Sequence, residues 1–193
     1  MKPDLVVSCG DLDLEYIDFI SSAANASLVL VPGNHDADFT PRRDIVPGRI
    51  DYSTGWGGHG PVEDLEIPGI NVDGQVVTVK DLTIAGLGGS ILYNDGPNQY
   101  TDRQMARRAR RLQRRVRLSR SRVDVFLAHS PPFGLGDDDG PHQGFASFIS
   151  LIETLQPKLM LHGHIHPHGF DKPDRTLGAT RVINVIPHKV VEL

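Results

Sequence analysis

Four times in this chain a short apolar run, rich in β-branched residues, ends on a polar cluster. Leu5-Val6-Val7 leads to Cys9-Gly10-Asp11, and Leu28-Val29-Leu30-Val31 leads to Pro32-Gly33-Asn34-His35-Asp36. Val123 to Leu127 leads to Ala128-His129-Ser130, and Lys158 to Leu161 leads to His162-Gly163-His164-Ile165-His166. Runs of this length and composition read as buried strands. In open α/β sheets, sites gather at the carboxyl ends of the strands. The pattern therefore predicts an α/β fold in which four separate segments deliver Asp, Asn and His side chains to one rim.

The last cluster carries the most chemistry. In an extended segment, side chains two apart point to the same side. Gly163 lets the backbone come close to a ligand. His164 and His166 can then present two imidazoles to one metal centre, and neutral imidazole suits Zn, Fe, Ni and Mn-type sites. Taken alone, a polar loop rich in histidine explains the motif as well, because short motifs match by chance. His162 continues the same period of two and is expected behind the site, orienting a neighbour. His168 is expected at the mouth of the pocket. His142, after Gly140-Pro141, either reaches a substrate or opens a helix, and His188 has no assigned role.

The remaining segments place these clusters. Residues 4–8, 12–24 and 28–31 read as strand, helix and strand, with Leu14, Ile17 and Ile20 on the apolar face of the helix. Such a βαβ unit has parallel strands. Residues 37–74 have loop composition, and a loop this long is usually functional. It follows Asn34-His35-Asp36 directly, so Trp56 and His59 are candidates for substrate contact; a surface loop without such contact explains them equally well. Residues 76–79 and 82–85 read as two short strands. Gly86-Leu87-Gly88-Gly89-Ser90 lacks the Gly-Lys-Ser/Thr of a P-loop and reads as a tight crossing near the core. Asp137-Asp138-Asp139-Gly140 reads as an exposed acidic loop. A helix over 143–155, a strand over 158–161 and two final strands over 181–186 and 189–193 complete a single domain over 1–193.

Composition limits the function classes. With 39% hydrophobic and 23% charged residues the chain is an ordinary globular protein. No apolar run approaches the ~18 residues of a membrane span, and no basic region followed by an apolar stretch opens the chain. Cys9 is the only cysteine. It has no partner for an internal disulfide and reads as a small buried hydrophobe, which fits a reducing, cytoplasmic compartment.

The net charge of −4 hides a basic segment. Ten of the twenty basic residues are arginines between Arg103 and Arg122. Met105, Ala109, Leu112 and Val116 recur on one helical stripe, so the spacing predicts an amphipathic helix over 102–118, capped by Thr101 or Asp102. The arginines opposite that stripe read first as a solvated face. The functional alternative is a strip for nucleic acid, an anionic partner or a phosphorylated substrate. No aromatic residue interleaves with them, which argues against single-strand binding.

The order Gly-Asp, then Gly-Asn-His-Asp, then His, then Gly-His-x-His resembles the calcineurin-like metallophosphoesterase superfamily over residues 3–187. That resemblance implies a two-sheet α/β sandwich and two divalent metal ions side by side, drawn from Mn2+, Fe2+/Fe3+, Zn2+ or Ni2+. It implies that Asp11 bridges both ions, that Asn34, His129 and His164 complete one site, and that His166 belongs to the other. It further implies that His35 acts as a general acid at the leaving group while Asp36 holds its ring. The substrate class is then a phosphomonoester or phosphodiester. The alternative is a non-catalytic protein-interaction scaffold of the same fold.

One departure stands out. The family opens with Asp-x-His at the end of a first strand, and this chain has no Asp-x-His before Asp11. The expectation is one tight metal site and a second, incomplete one, with the first strand missing; translation from an internal start is one account of that absence, and a genuine minimal variant is the other. The edge left beside Leu5–Ser8 is then expected to favour a homo-oligomer.

Overall fold

The computed structural model describes residues 2–37, 68–167 and 173–193. Trp56, His59 and His168 lie outside the described residues. The elements run β1 (Leu5–Ser8), α1 (Leu14–Ala24), β2 (Ser27–Leu30), β3 (Ile70–Asn71), β4 (Val76–Val79), β5 (Leu82–Leu87), β6 (Ser90–Ile91) and β7 (Gln99–Tyr100). They continue with α2 (Asp102–Ser119), β8 (Val125–Ala128), a 3-10 turn (Gly140–His142), α3 (Ala146–Leu155), β9 (Leu159–His162), β10 (Arg175–Leu177) and β11 (Thr180–Asn184).

Strand alternation builds the layers. Successive side chains of a strand face opposite sides, and in β2, β5, β8, β9 and β11 both sides are apolar. Val29 and Val31 of the β2 segment therefore meet Ile84, Val125, Leu127, Leu159, Leu161 and Ile183 in a core between two sheets. Ala85, Leu87, Phe126, Ala128, Met160 and Val182 point the other way and pack under α2 and α3. Leu28 and Leu30 pack under Ile17 of α1. The result is a helix–sheet–sheet–helix sandwich. The smaller sheet has the order β1-β2-β3 and the larger β10-β11-β9-β8-β5-β4. β1 and β2 are parallel, as are β5, β8, β9 and β11. Their carboxyl ends therefore share one rim. Among the described residues β1 pairs only with β2 and forms an edge.

Helix boundaries follow from their caps. Asp13 accepts hydrogen bonds from the N–H groups of Glu15 and Tyr16, so α1 begins at Leu14 rather than at Leu12. Thr101 and Gln104 cap each other's backbone at the start of α2, a capping box that fulfils the expected Thr101 cap. α3 starts later than its apolar pattern suggests. The Gly144 N–H donates to Asp137 and the Phe145 N–H to the Pro131 carbonyl, which holds both residues out of the helix.

Two strand readings need correction. Residues 189–193 form no strand, because β11 already pairs with β9 on one side and β10 on the other. β10 was not legible, since Arg175 and Thr176 are exposed and form no apolar run. The glycine-rich segment does cross close to the core: a Cβ on Gly86 would meet Val72 and Val31, and one on Gly88 would meet Pro32. Among the described residues no helix is long and apolar enough to cross a membrane.

Candidate metal centre

Each candidate ligand follows the carboxyl end of a strand. Asp11 leaves β1 through Gly10, Asn34 leaves β2 through Pro32-Gly33, His129 follows β8 at once, and His164 follows β9 through Gly163. Asp11 (φ 58°) and His164 (φ 65°) both adopt the left-handed backbone region. For a residue with a Cβ that conformation costs free energy, and such costs cluster at functional sites. Two chain reversals held in this way turn two side chains into one focus.

At that focus four atoms converge. His129 Nε2 lies 3.0 Å from Asn34 Oδ1, 3.0 Å from His164 Nδ1 and 3.3 Å from Asp11 Oδ2. The ligand atoms of Asp11, His129 and His164 all lie within 4.8 Å of one another. Asn34, His129 and His164 are buried and Asp11 is half-buried.

Their outer partners decide which atoms carry hydrogen. His129 Nδ1–H donates to the Cys9 carbonyl at 2.6 Å, which leaves a lone pair on Nε2. His164 Nε2–H donates to the Pro141 carbonyl at 2.9 Å, which leaves a lone pair on Nδ1. Asn34 Nδ2 donates to the Tyr93 hydroxyl at 3.0 Å, which turns its oxygen inward. Four acceptors thus face one point with no hydrogen between them. Buried acceptors opposed in this way repel. A proton on His129 Nε2 serves one neighbour at a time, whereas a divalent cation serves all four. Zn–N and Zn–O bonds of about 2.0–2.2 Å place neighbouring tetrahedral ligand atoms roughly 3.3–3.6 Å apart, within a few tenths of an ångström of the 3.0–3.3 Å seen. The donor set fits a metal ion.

Backbone clamps hold the loops that carry these ligands. Asp36 accepts the N–H groups of Asp11 and Gly33, each at 2.8 Å. Asp11 Oδ1 accepts the His35 N–H at 2.8 Å. Asn98, sixty-odd residues away, donates to the carbonyls of Gly33, Asp36 and Ala37. The Asp36 carboxylate is thus engaged with backbone and makes no hydrogen bond to the His35 ring, which is exposed. His166 is exposed and stands outside the Asp11–His129–His164 cluster. His162 is buried two residues before His164, and the His142 ring packs 5.1 Å from that of His164. Tyr93, Asn98 and the carbonyls of Cys9 and Pro141 were not foreseen. A carbonyl has no signature in sequence, and Tyr93 and Asn98 lie in a segment without periodicity.

The chain as a whole matches a family. A model of the calcineurin-like phosphoesterases matches residues 1–168. This chain belongs to the calcineurin-like phosphoesterase family. The family's chemistry is metal-dependent hydrolysis of phosphate esters. Among solved structures, one crystal structure shares 16% identity with a TM-score of 0.55, covering 89% of this chain and 62% of its own. The crystal structure of TT1561 of Thermus thermophilus shares 18% identity with a TM-score of 0.55, covering 94% of this chain and 76% of its own. This chain therefore spans less than two thirds of the first of these proteins, and the likeness to both is one of fold. A search of the curated proteins gave no match.

The electrostatics of this centre predict an acid limit for the metal-free protein. Burial, reinforced by the neighbouring His129 ring, pulls the His164 imidazole down from 6.5 to about 4. Burial pushes the Asp11 carboxyl up, but the His129 ring and the His35 N–H outweigh it and hold it below the usual range. Asp36 goes the other way, raised by its burial. Between pH 6.5 and 4 the unfolded chain binds a proton at residue 164 that the native site rejects, so stability falls as pH falls. That loss is on the order of 3 kcal/mol over the whole window. Thermal melts in EDTA at pH 7.5 and pH 5 are expected to show a lower Tm at the acid value. His164→Gln is expected to flatten that difference.

Proposed function

We propose that this chain hydrolyses phosphate esters, monoester or diester, with a divalent cation held by Asp11, Asn34, His129 and His164. The observation that carries the proposal is the meeting of four hydrogen-free acceptors at one buried point beside a solvent-facing rim. Two imidazoles with two oxygens suit Mn2+, Fe, Zn2+ or Ni2+. When bound, a divalent cation polarises a phosphoryl oxygen and makes water a strong nucleophile near neutral pH.

The chain's own residues do the rest. Asn34 contributes an oxygen without a charge, so the centre stays positive enough to attract a phosphate. The Cys9 and Pro141 carbonyls keep the inward nitrogens of His129 and His164 free of hydrogen. Asp36 fixes the turns of Asp11 and Gly33 and acts as a positioning residue. His35 is exposed beside them, and as an imidazolium its ring gives a proton to the departing alkoxide. Asp11 with His166 would hold a second cation more weakly.

The test begins with elemental analysis after exhaustive dialysis, where about one tightly held divalent ion per chain is expected. Mn2+-loaded protein is then assayed on an aryl and an alkyl phosphodiester. Hydrolysis of both is expected. His35→Ala should slow the alkyl ester more than the aryl ester, because only the poor leaving group needs the proton. Equal losses on the two would remove His35 from the acid role. A chain that keeps its ion and hydrolyses neither ester would instead be a scaffold of the same fold.

A further inference from the structure

The amphipathic helix α2 splits its arginines into two groups. Arg108 and Arg115 face inward structure: Arg108 pairs with Asp73 and covers the Tyr100 ring at 4.2 Å, and Arg115 donates to the Gly74 carbonyl and to Gln75. Arg103, Arg107, Arg110, Arg111, Arg114 and Arg117 are all exposed. At 100° per residue these six fall within one third of the helix circumference, opposite the buried Met105, Ala109, Leu112 and Val116. Among the described residues none of the six forms an ion pair, and the only acid on the helix is Asp102 in its first turn. A solvated face normally mixes both signs so that i,i+4 pairs form. This face carries a single sign in a chain of net charge −4.

We propose that this arginine stripe is a docking surface for the phosphate backbone of duplex nucleic acid. Each of these arginines has another three or four residues away, which spaces charges about 5–6 Å apart on a helix surface. From Arg103 to Arg117 it runs roughly 21 Å. A rigid row of forked donors suits a row of phosphates, since guanidinium matches phosphate geometry and sheds water more readily than an ammonium does. No aromatic side chain stands among the arginines to stack an unpaired base, which favours a duplex over a single strand. An anionic membrane needs an apolar face to insert, and the apolar face of α2 is already buried in the core. The stripe also starts five residues along the chain from a clamp of the ligand loops. Asn98, which clamps the Gly33 and Asp36 carbonyls, precedes the Thr101 cap by three residues, and Arg103 lies in the first turn.

The test measures anisotropy of a fluorescein-labelled duplex of about 20 base pairs with the full chain, in EDTA so that no metal-dependent cleavage consumes the probe. It therefore stands or falls apart from the phosphoesterase reading. Affinity is expected to drop steeply between 50 and 200 mM salt. Arg107→Gln/Arg111→Gln/Arg114→Gln is expected to bind at least ~10-fold more weakly at 50 mM, with a log K against log salt slope shallower by about 2–3. Arg175→Gln, which removes one charge off the helix, should bind as the unaltered chain does. A thermal melt checks that the triple variant folds; if it does not, Arg111→Gln alone is expected to flatten the slope by about 1. Unchanged binding by these variants overturns the proposal. So does an unaltered chain that binds phosphatidylserine vesicles but not the duplex, or binds neither.

Discussion

His164→Ala is expected to remove the tightly held cation and, with it, hydrolysis of both phosphodiester probes. The substitution deletes one of two imidazole nitrogens at the focus and opens the Pro141 side of the site, because the carbonyl that oriented the ring loses its donor. Loss of a residue that merely orients a ligand costs about 10–100-fold in metal affinity or activity. Loss of the ligand itself is expected to exceed ~100-fold in affinity. The fold should survive, since the ring packs against His129 and His142 at the rim and takes no part in the apolar clusters. The readouts are metal content after dialysis and activity with excess Mn2+, alongside a melt in EDTA. A variant that retains one tight ion per chain would show that His164 is not a ligand.

Gly10→Ala is expected to damage fold and site together. Gly10 sits at φ 90°, where a residue with a Cβ is strained. The added methyl would meet the backbone of Gly33 and of Pro32, including the Pro32 carbonyl carbon at 2.8 Å. No side-chain rotation relieves a collision with backbone, so the loops after β1 and β2 must part. Those loops carry Asp11 and Asn34 and are held together by Asp36. A loss of about 3 kcal/mol or more is expected, at the upper end of ordinary point substitutions. For a chain of this size that lowers Tm by roughly 6–12 °C. Metal content should fall as well. Gly74→Ala provides a contrast, because it has a positive φ but nothing within 4 Å of its added methyl, and it should cost less and leave the metal in place. Equal melting temperatures for the two variants would contradict the close approach at Gly10.

Sequence determined what depends on near neighbours. Short continuous apolar runs committed β2, β5, β8 and β9 to be buried on both faces, and the polar sequels of β2, β8 and β9 lie at their carboxyl ends. The Thr101 cap and the stripe of Met105, Ala109, Leu112 and Val116 defined α2 almost to the residue. The order of the polar clusters, through its resemblance to a known family, marked Asp11, Asn34, His129, His164 and His166 as candidate ligands; the first four converge, and His166 stands exposed outside them. Tertiary structure decided everything that depends on which distant groups meet. The Cys9 carbonyl reaches across 120 positions to fix the His129 ring, and Pro141 does the same for His164 across 23. Asp36 turned from the expected ring contact to two backbone N–H groups because the β1 and β2 loops pack side by side. Arg108 left the solvent face for Asp73, 35 residues away, while six others stayed outward. The expected last strand found both sides of β11 occupied. Periodicity and capping are local energies that a sequence displays directly. The hydrogen on a ring nitrogen, the partner of a charge and the edge of a sheet are settled only when segments far apart in the chain close against each other.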